Sequence, residues 1–378
     1  MIVRRINLDE VKVPARSDSI NSPETDHPLH KLPQGRKPGW TQQFDEISKT
    51  IIRISLDNGV VGLGESYRGV SAALLREIST GLIGLDLAQL NLQDLPLPRG
   101  RVYDGFECAL LDAAAKSHDL PLFQWLGGKY RDKVACTFWT GHRTTADAVR
   151  KAEEAFNAGY TCIKFKCNLD DPVVDWCEAI HSQFSRKISI ILDPNERFLY
   201  AADTERIARG LASLGNVMYL EDPIARWDIE SWAYLRKKIS VPLSMHISLP
   251  YAEMGQMEQD AARAARIGAT DYFNFNGGIY AFRRLTALSD LFEIPYSHGS
   301  EIDLGILEAS YVHKAASSAR AVLPSDIFGR LIREHDLLKT PLHIVNSHVS
   351  VPTGPGLGVE LDSDALSHYS VAHWETDK

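Results

Sequence analysis

The stretch Tyr160-Thr161-Cys162-Ile163-Lys164-Phe165-Lys166-Cys167 decides how the chain is read. β-Branched and aromatic residues mark a buried strand, yet two lysines two positions apart interrupt its end. Side chains at i and i+2 leave a strand on the same face. Two ammonium groups therefore converge on one small volume, which is costly unless anions meet them there.

The sequence around this stretch repeats its grain. Strand-like runs recur at 134–139, 161–166, 188–193, 217–221, 241–246, 271–275, 294–298 and 321–324. Helical segments separate them at 145–157, 172–184, 203–213, 229–238, 251–266, 279–291 and 303–317. Eight strands alternating with helices over about 190 residues predict an α/β fold of the TIM-type (β/α)8 barrel class, whose chemistry gathers at the C-terminal strand ends.

Upstream, residues 2–12 and 49–62 read as strands, with Asp57-Asn58-Gly59 as a hairpin turn. Phe106, Ala109, Leu110 and Ala113 follow at helical spacing, and Gly127-Gly128 ends the helical region. This pattern predicts an N-terminal α+β capping domain over 1–128, rejoined by 342–378, and a barrel domain over 129–341. Residues 15–45 lack apolar periodicity, and a connection of that length reads as a disordered segment or a functional lid.

A chain of 378 residues exceeds one small core. Its net charge of −8 and lack of a basic block exclude a nucleic-acid surface but allow a local cationic pocket for a small anion. Five cysteines, an odd number without a CxxC pair, argue against a disulfide framework or zinc knuckle and for a reducing cytoplasm. No run of about 18 apolar residues occurs, so no membrane span is expected.

Three consecutive predicted strands end in Asp193, Glu221 and His246, one βα unit apart. Carboxylates on neighbouring strands repel unless a cation or proton lies between them. Their oxygens suit a hard divalent metal such as Mg2+, and His246 opens the set to Mn2+, Fe2+ or Zn2+. Acidic residues also cap helices, which is the competing reading of Asp193 and Glu221. His298, ending the seventh strand, is either a structural histidine or a base facing Lys166 across the barrel mouth. Asp326, ending the eighth, is either a site carboxylate or a turn cap.

Lys164-Phe165-Lys166, Leu192-Asp193-Pro194-Asn195, Leu220-Glu221-Asp222-Pro223, Ser297-His298 and Gly354-Pro-Gly-Leu-Gly-Val-Glu360 together resemble the enolase superfamily, in its mandelate racemase and glucarate dehydratase branch. The resemblance implies a modified (β/α)7β barrel under the capping domain. It implies metal-dependent abstraction of the α-proton of a hydroxycarboxylate through an enediolate. Lys164, Lys166 and His298 would be catalytic, and Asp193, Glu221 and His246 would hold the metal. Dehydration of an acid sugar by a carbon–oxygen lyase is the expected outcome; racemisation, epimerisation and cycloisomerisation share the first step. A silent anion-binding barrel and a Schiff-base lyase acting through Lys166 are the rival readings.

Two positions depart from the branch. His246 stands where an acidic or amide third ligand is usual, and Asn274 or Asn276 replaces the sixth-strand Asp or Lys, leaving an amide to orient His298. Asn195, Asn274, Asn276, Asp326, Tyr67, Arg68, His30 and Lys31 are candidates for binding or orienting substrate, with Arg36 and Lys37 beside the last two. The expected partner is a small-molecule carboxylate, and a symmetric homo-oligomer is expected.

Overall fold

The computed structural model describes residues 1–16, 18–25, 48–247 and 257–377. His30, Lys31, Arg36 and Lys37, with most of the expected lid, lie outside the described residues. Strands β1 (Val3–Lys12), β2 (Ser48–Leu56) and β3 (Val61–Glu65) form an antiparallel sheet, with Gly59 of the β2–β3 turn at φ 82°. That left-handed conformation is one glycine adopts freely. Helices α1 (Ala72–Leu82), α2 (Arg101–Ser117) and α3 (Leu122–Trp125) follow.

Phe106, Ala109, Leu110 and Ala113 of α2 are all buried against this sheet, as their spacing predicts. The helix sits close because β3 offers glycine there: a Cβ on Gly64 would collide with the carbonyl of Gly105 and with Ala109. Overpacking of such a contact costs about 1–3 kcal/mol, so the small residues fix the distance of helix from sheet.

The barrel sheet contains β5 (Phe138–Thr140), β6 (Cys162–Lys166), β7 (Ser189–Asp193), β8 (Val217–Glu221), β9 (Leu243–Ile247), β10 (Tyr272–Phe275) and β11 (Tyr296–His298), all parallel and in sequential order. Between them run α4 (Thr145–Asn157), α5 (Val173–Phe184), α6 (Ala201–Leu211), α7 (Ile229–Lys238), α8 (Met257–Ile267) and α9 (Ile279–Leu291), with α10 (Gly305–Ala316) after β11. Parallel strands buried on both faces favour apolar runs such as Ile190-Ile191-Leu192 of β7, and here polar residues interrupt them at inward positions, as in β6, β9 and β10.

The eighth strand, expected at 321–324, forms no ladder. Pro324 removes a donor from it, yet the ring still closes: Leu323 N–H donates to Tyr296 O (3.3 Å), Asp326 N–H to His298 O (2.8 Å), and Cys136 bridges Ser325. The short strands expected within 342–361 are β12 (Ile344–Val345) and β13 (His348–Ser350), and β13 pairs with β4 (Lys133–Ala135) rather than with the N-terminal sheet. The ladder partner that the C-terminal region gives β1 is β14 (Ser370–Asp377).

Carboxylates of the N-terminal elements cap the barrel's helices. Glu65, ending β3, accepts from Leu304 and Leu307 N–H (2.8 and 3.2 Å) at the start of α10. Glu107 of α2 accepts from Ile279 and Tyr280 N–H (2.6 and 3.2 Å) at the start of α9. Each satisfies otherwise orphaned donors and meets the positive end of a helix dipole.

His313 of α10 accepts from Phe123 N–H through Nδ1 (3.1 Å), which leaves Nε2–H to donate to Leu357 O (3.0 Å). Burial holds its pKa down at about 4 from the usual 6.5. The unfolded chain therefore binds the extra proton first. Stability is complete above pH 6.5 and is expected to fall by about 3 kcal/mol from this group as pH drops towards 4. Denaturant titrations at pH 7, 5.5 and 4 check this, with His313→Gln expected to flatten the slope.

Candidate active site

In-register pairing decides which side chains face the barrel axis. Lys166 pairs with Asp193, Glu221 with Ser244, His246 with Asn274, and Asn274 with Ser297. Lys164 Nζ donates to Glu221 Oε1 (2.8 Å) and Asp326 Oδ2 (2.9 Å) and lies 3.2 Å from Asp193 Oδ2. Lys166 Nζ donates to Asp193 Oδ2. The anions that the two lysines require are thus Asp193, Glu221 and Asp326.

Neither Asp193 nor Glu221 caps a helix: α6 begins only at Ala201, and Asp228 caps α7. Asp326 is held by Lys164 and Thr137 Oγ1 (3.3 Å), so it serves the lysine and not the His298 ring. Burial works against the charge of Lys164, but Asp326, Glu221 and Asp193 outweigh it and hold its pKa well above the lysine range. Burial likewise opposes ionisation of Asp193, yet Lys166 and Lys164 hold its pKa well below the carboxylate range. Burial, with Asp193, Asp326 and Asp222 nearby, pushes Glu221 up despite Lys164.

The strand ends are shaped by left-handed residues. Asn195 (φ 44°), Glu196 (φ 70°) and Asp222 (φ 46°) turn the chain directly after the two carboxylates. Asn195 N–H bonds to Asp193 Oδ1 (3.1 Å), which turns the backbone back on its own ligand position. Asp222 Oδ1 accepts from His246 N–H (2.9 Å) and Oδ2 from Arg226 Nε (2.6 Å), tying β8 to β9. Non-glycine residues in this region cost about 1–3 kcal/mol each and cluster at functional strand ends.

The other half of the mouth differs. Ser244, His246, Asn274 and Ser297 point inward from β9, β10 and β11, and Asn276 follows β10. Asn274 Nδ2 donates to Glu221 Oε2 (3.0 Å), and Asn276 Nδ2 to Glu301 Oε1 (3.3 Å). His246 places Nδ1 3.7 Å from Glu221 Oε1. Burial, reinforced by Arg226 and Lys164, holds its pKa well below 6.5, so the imidazole is neutral.

His298 sits elsewhere. It pairs with Phe275, whose side chain faces the helices, and its ring is sandwiched between Phe282 of α9 (4.7 Å) and Tyr311 of α10 (3.8 Å). Its Nδ1 lies 2.6 Å from Gly299 O. The structure therefore does not bring His298 to the lysines across the mouth, and neither Asn274 nor Asn276 orients it. The reason is strand parity: Tyr296 and His298 share the outward face, and Ser297 takes the inward one. Tyr67 is buried beside Lys49 and Asp104. Arg68 reaches the site's rim through an ion pair with Glu301 (3.1 Å).

By chemistry, Asp193, Glu221 and the buried imidazole of His246 fit a divalent cation: two hard anionic donors and a neutral nitrogen on three successive strand ends. As placed, no three His, Cys, Asp or Glu among the described residues are gathered closely enough to enclose an ion. The ammonium of Lys164 stands between the two carboxylates.

Residues 147–365 match the family model for the enolase C-terminal domain-like unit, and residues 41–127 that for the mandelate racemase / muconate lactonizing enzyme N-terminal domain. The chain belongs to the enolase superfamily. It is 26% identical to the chloromuconate cycloisomerase of Cupriavidus pinatubonensis, over 92% of this chain and 96% of that enzyme. It is 27% identical to the D-xylonate dehydratase of Haloferax volcanii, over 85% of each. The crystal structure of N-succinyl Arg/Lys racemase from Bacillus cereus superposes with a TM-score of 0.81 at 20% identity, covering all of both chains. The barrel expected from the sequence is the fold found, and these relatives are enzymes, which supports the general chemistry of α-proton abstraction. No helix among the described residues is long and apolar enough to cross a membrane.

Proposed function

We propose that this chain is a carbon–oxygen lyase that removes water from an acid-sugar carboxylate. Asp193, Glu221 and His246 would hold Mg2+, beneath a cap formed by 1–128 and joined by β14. When bound, Mg2+ supplies positive charge against the substrate carboxylate as negative charge builds on it. Lys164, kept protonated by its three carboxylates, donates hydrogen bonds to the same carboxylate. Lys166 takes the α-proton, and its ammonium then returns that proton to the departing β-hydroxyl. One C–H and one C–O bond break, a carbon–carbon double bond forms, and water leaves.

The observation that carries this reading is the one-sided placement of the lysines. Racemisation by two bases needs a proton acceptor on each face of the carbon acid. Here both lysines lie on β6, Asn274 stands inward on β10, and His298 faces the helices. A single base that takes and returns one proton suits syn elimination.

Incubation with a panel of pentonates and hexarates in Mg2+ tests the proposal. A 2-keto-3-deoxy acid is expected from at least one member. Recovery of the epimer alone, with α-deuterium from solvent, would instead assign an epimerase.

A further inference from the structure

Opposite the lysines lies a cluster of buried polar atoms to which the proposed reaction gives no role, among them Nε2 of His246, whose Nδ1 is the ring nitrogen on the Glu221 side. His246 Nε2, Asn274 Oδ1 and Asn276 Oδ1 have no hydrogen-bond partner among the described residues, and the same holds for Ser244 Oγ and Ser297 Oγ. His246, Asn274 and Asn276 are 7%, 1% and 0% exposed. The first three atoms converge: a Cβ placed on Gly299 would lie within 3.0 Å of all of them. Buried polar groups are nearly always paired, and each one left alone costs about 1–3 kcal/mol.

The orientation of both amides is set from behind. Glu221 accepts from Asn274 Nδ2 and Glu301 from Asn276 Nδ2, so each Oδ1 must face the cluster. Glu301 is itself held by Arg68 from the loop after β3. A second carboxylate on the substrate has no donor to offer two amide oxygens. A hydroxyl has one O–H to give to either amide oxygen, and its lone pairs accept from His246 Nε2 in the tautomer that carries the proton there.

We infer that His246, Asn274 and Asn276 form a hydroxyl-recognising subsite that selects polyhydroxylated monocarboxylates or dicarboxylates over carboxylates lacking a hydroxyl at that place. Gly299 supplies the room, and Arg68 acts as a positioning residue through Glu301. The inference rests on the lyase reading for its substrate carboxylate but is tested by binding, not turnover.

Calorimetric titration of the full chain in Mg2+ with gluconate, xylonate and galactarate, each against its single-deoxy counterparts, provides the test. The best parent acid is expected to bind about tenfold more tightly than one of its deoxy forms, equal to about 1.4 kcal/mol. Asn276→Leu is expected to bring that ratio to about one by weakening only the parent. Glu301 keeps Arg68 in that variant, so its charge stays paired. A wild-type ratio near one, a ratio that survives Asn276→Leu, or tighter binding of an amino acid such as lysine overturns the inference, as does failure of every acid to bind. Should Asn276→Leu not fold, Gly299→Ala fills the same space and is expected to weaken the parent alone; an unchanged ratio there is equally fatal. Dehydration without a hydroxyl ratio refutes the subsite and leaves the lyase standing, and a hydroxyl ratio without turnover does the reverse.

Discussion

Lys166→Ala is expected to slow exchange of the substrate's α-proton with solvent deuterium by about a thousandfold, within the range that a positioned general base contributes. Lys166 is the more exposed of the two lysines, with its side chain 12% accessible against 2% for Lys164. Among the described residues it donates to Asp193 alone, so its removal leaves Asp193 still facing Lys164 at 3.2 Å. The fold is therefore expected to persist, with an unchanged denaturation midpoint. Proton NMR in deuterated buffer measures the exchange. Exchange at the wild-type rate would remove Lys166 from the reaction and, with it, the one-base elimination.

Lys164→Met is expected to cost about 3–5 kcal/mol of stability, the range for breaking a buried ion pair by removing one partner. The loss should reach the upper end, because this one ammonium faces Asp193, Glu221 and Asp326. Without it the three carboxylates repel, and Glu221, already pushed up by burial, loses the ammonium that opposes that rise. A carboxyl whose folded pKa lies above its unfolded one contributes stability that is present at low pH and is lost as pH rises. The variant should accordingly recover towards pH 4 while the wild type declines there through His313. Mg2+ should also restore stability, since a ligand bound only by the folded chain raises it. A variant as stable as wild type at pH 7 without Mg2+ would show that the carboxylates need no counter-charge.

The barrel was legible because period and parity are local properties. Helices expected at 145–157, 229–238 and 279–291 end where the structure ends them. The eighth strand was harder, because Pro324 leaves it extended but unladdered. Lys164 and Lys166 stood out as like charges two apart on a buried strand, and Asp193 and Glu221 by their places at consecutive strand ends, one βα unit apart.

Position at a strand's end was the wrong signal for His298. The informative one was the alternation in Tyr296-Ser297-His298, where an outward aromatic implies an outward histidine and an inward serine. Asp222 and Glu301 went unassigned because their tasks are contacts made after folding: one pins the backbone of His246, the other turns an amide. No spacing encodes those. Asp326 was left between two roles because its partner, Lys164, is 162 residues away.

Glu65 and Glu107 give the molecule a further property. Each is a side chain of the N-terminal layer whose hydrogen bonds among the described residues end at the starts of barrel helices, and Glu65 also faces Lys49 (3.3 Å), which donates to Asp303. The two layers thus share a single set of donors and acceptors across their seam. A chimera that took its cap from a relative would inherit bare helix ends unless the donor cap carried carboxylates at both positions. Recombination within the superfamily is thereby restricted to halves that agree on where those two carboxyl groups stand.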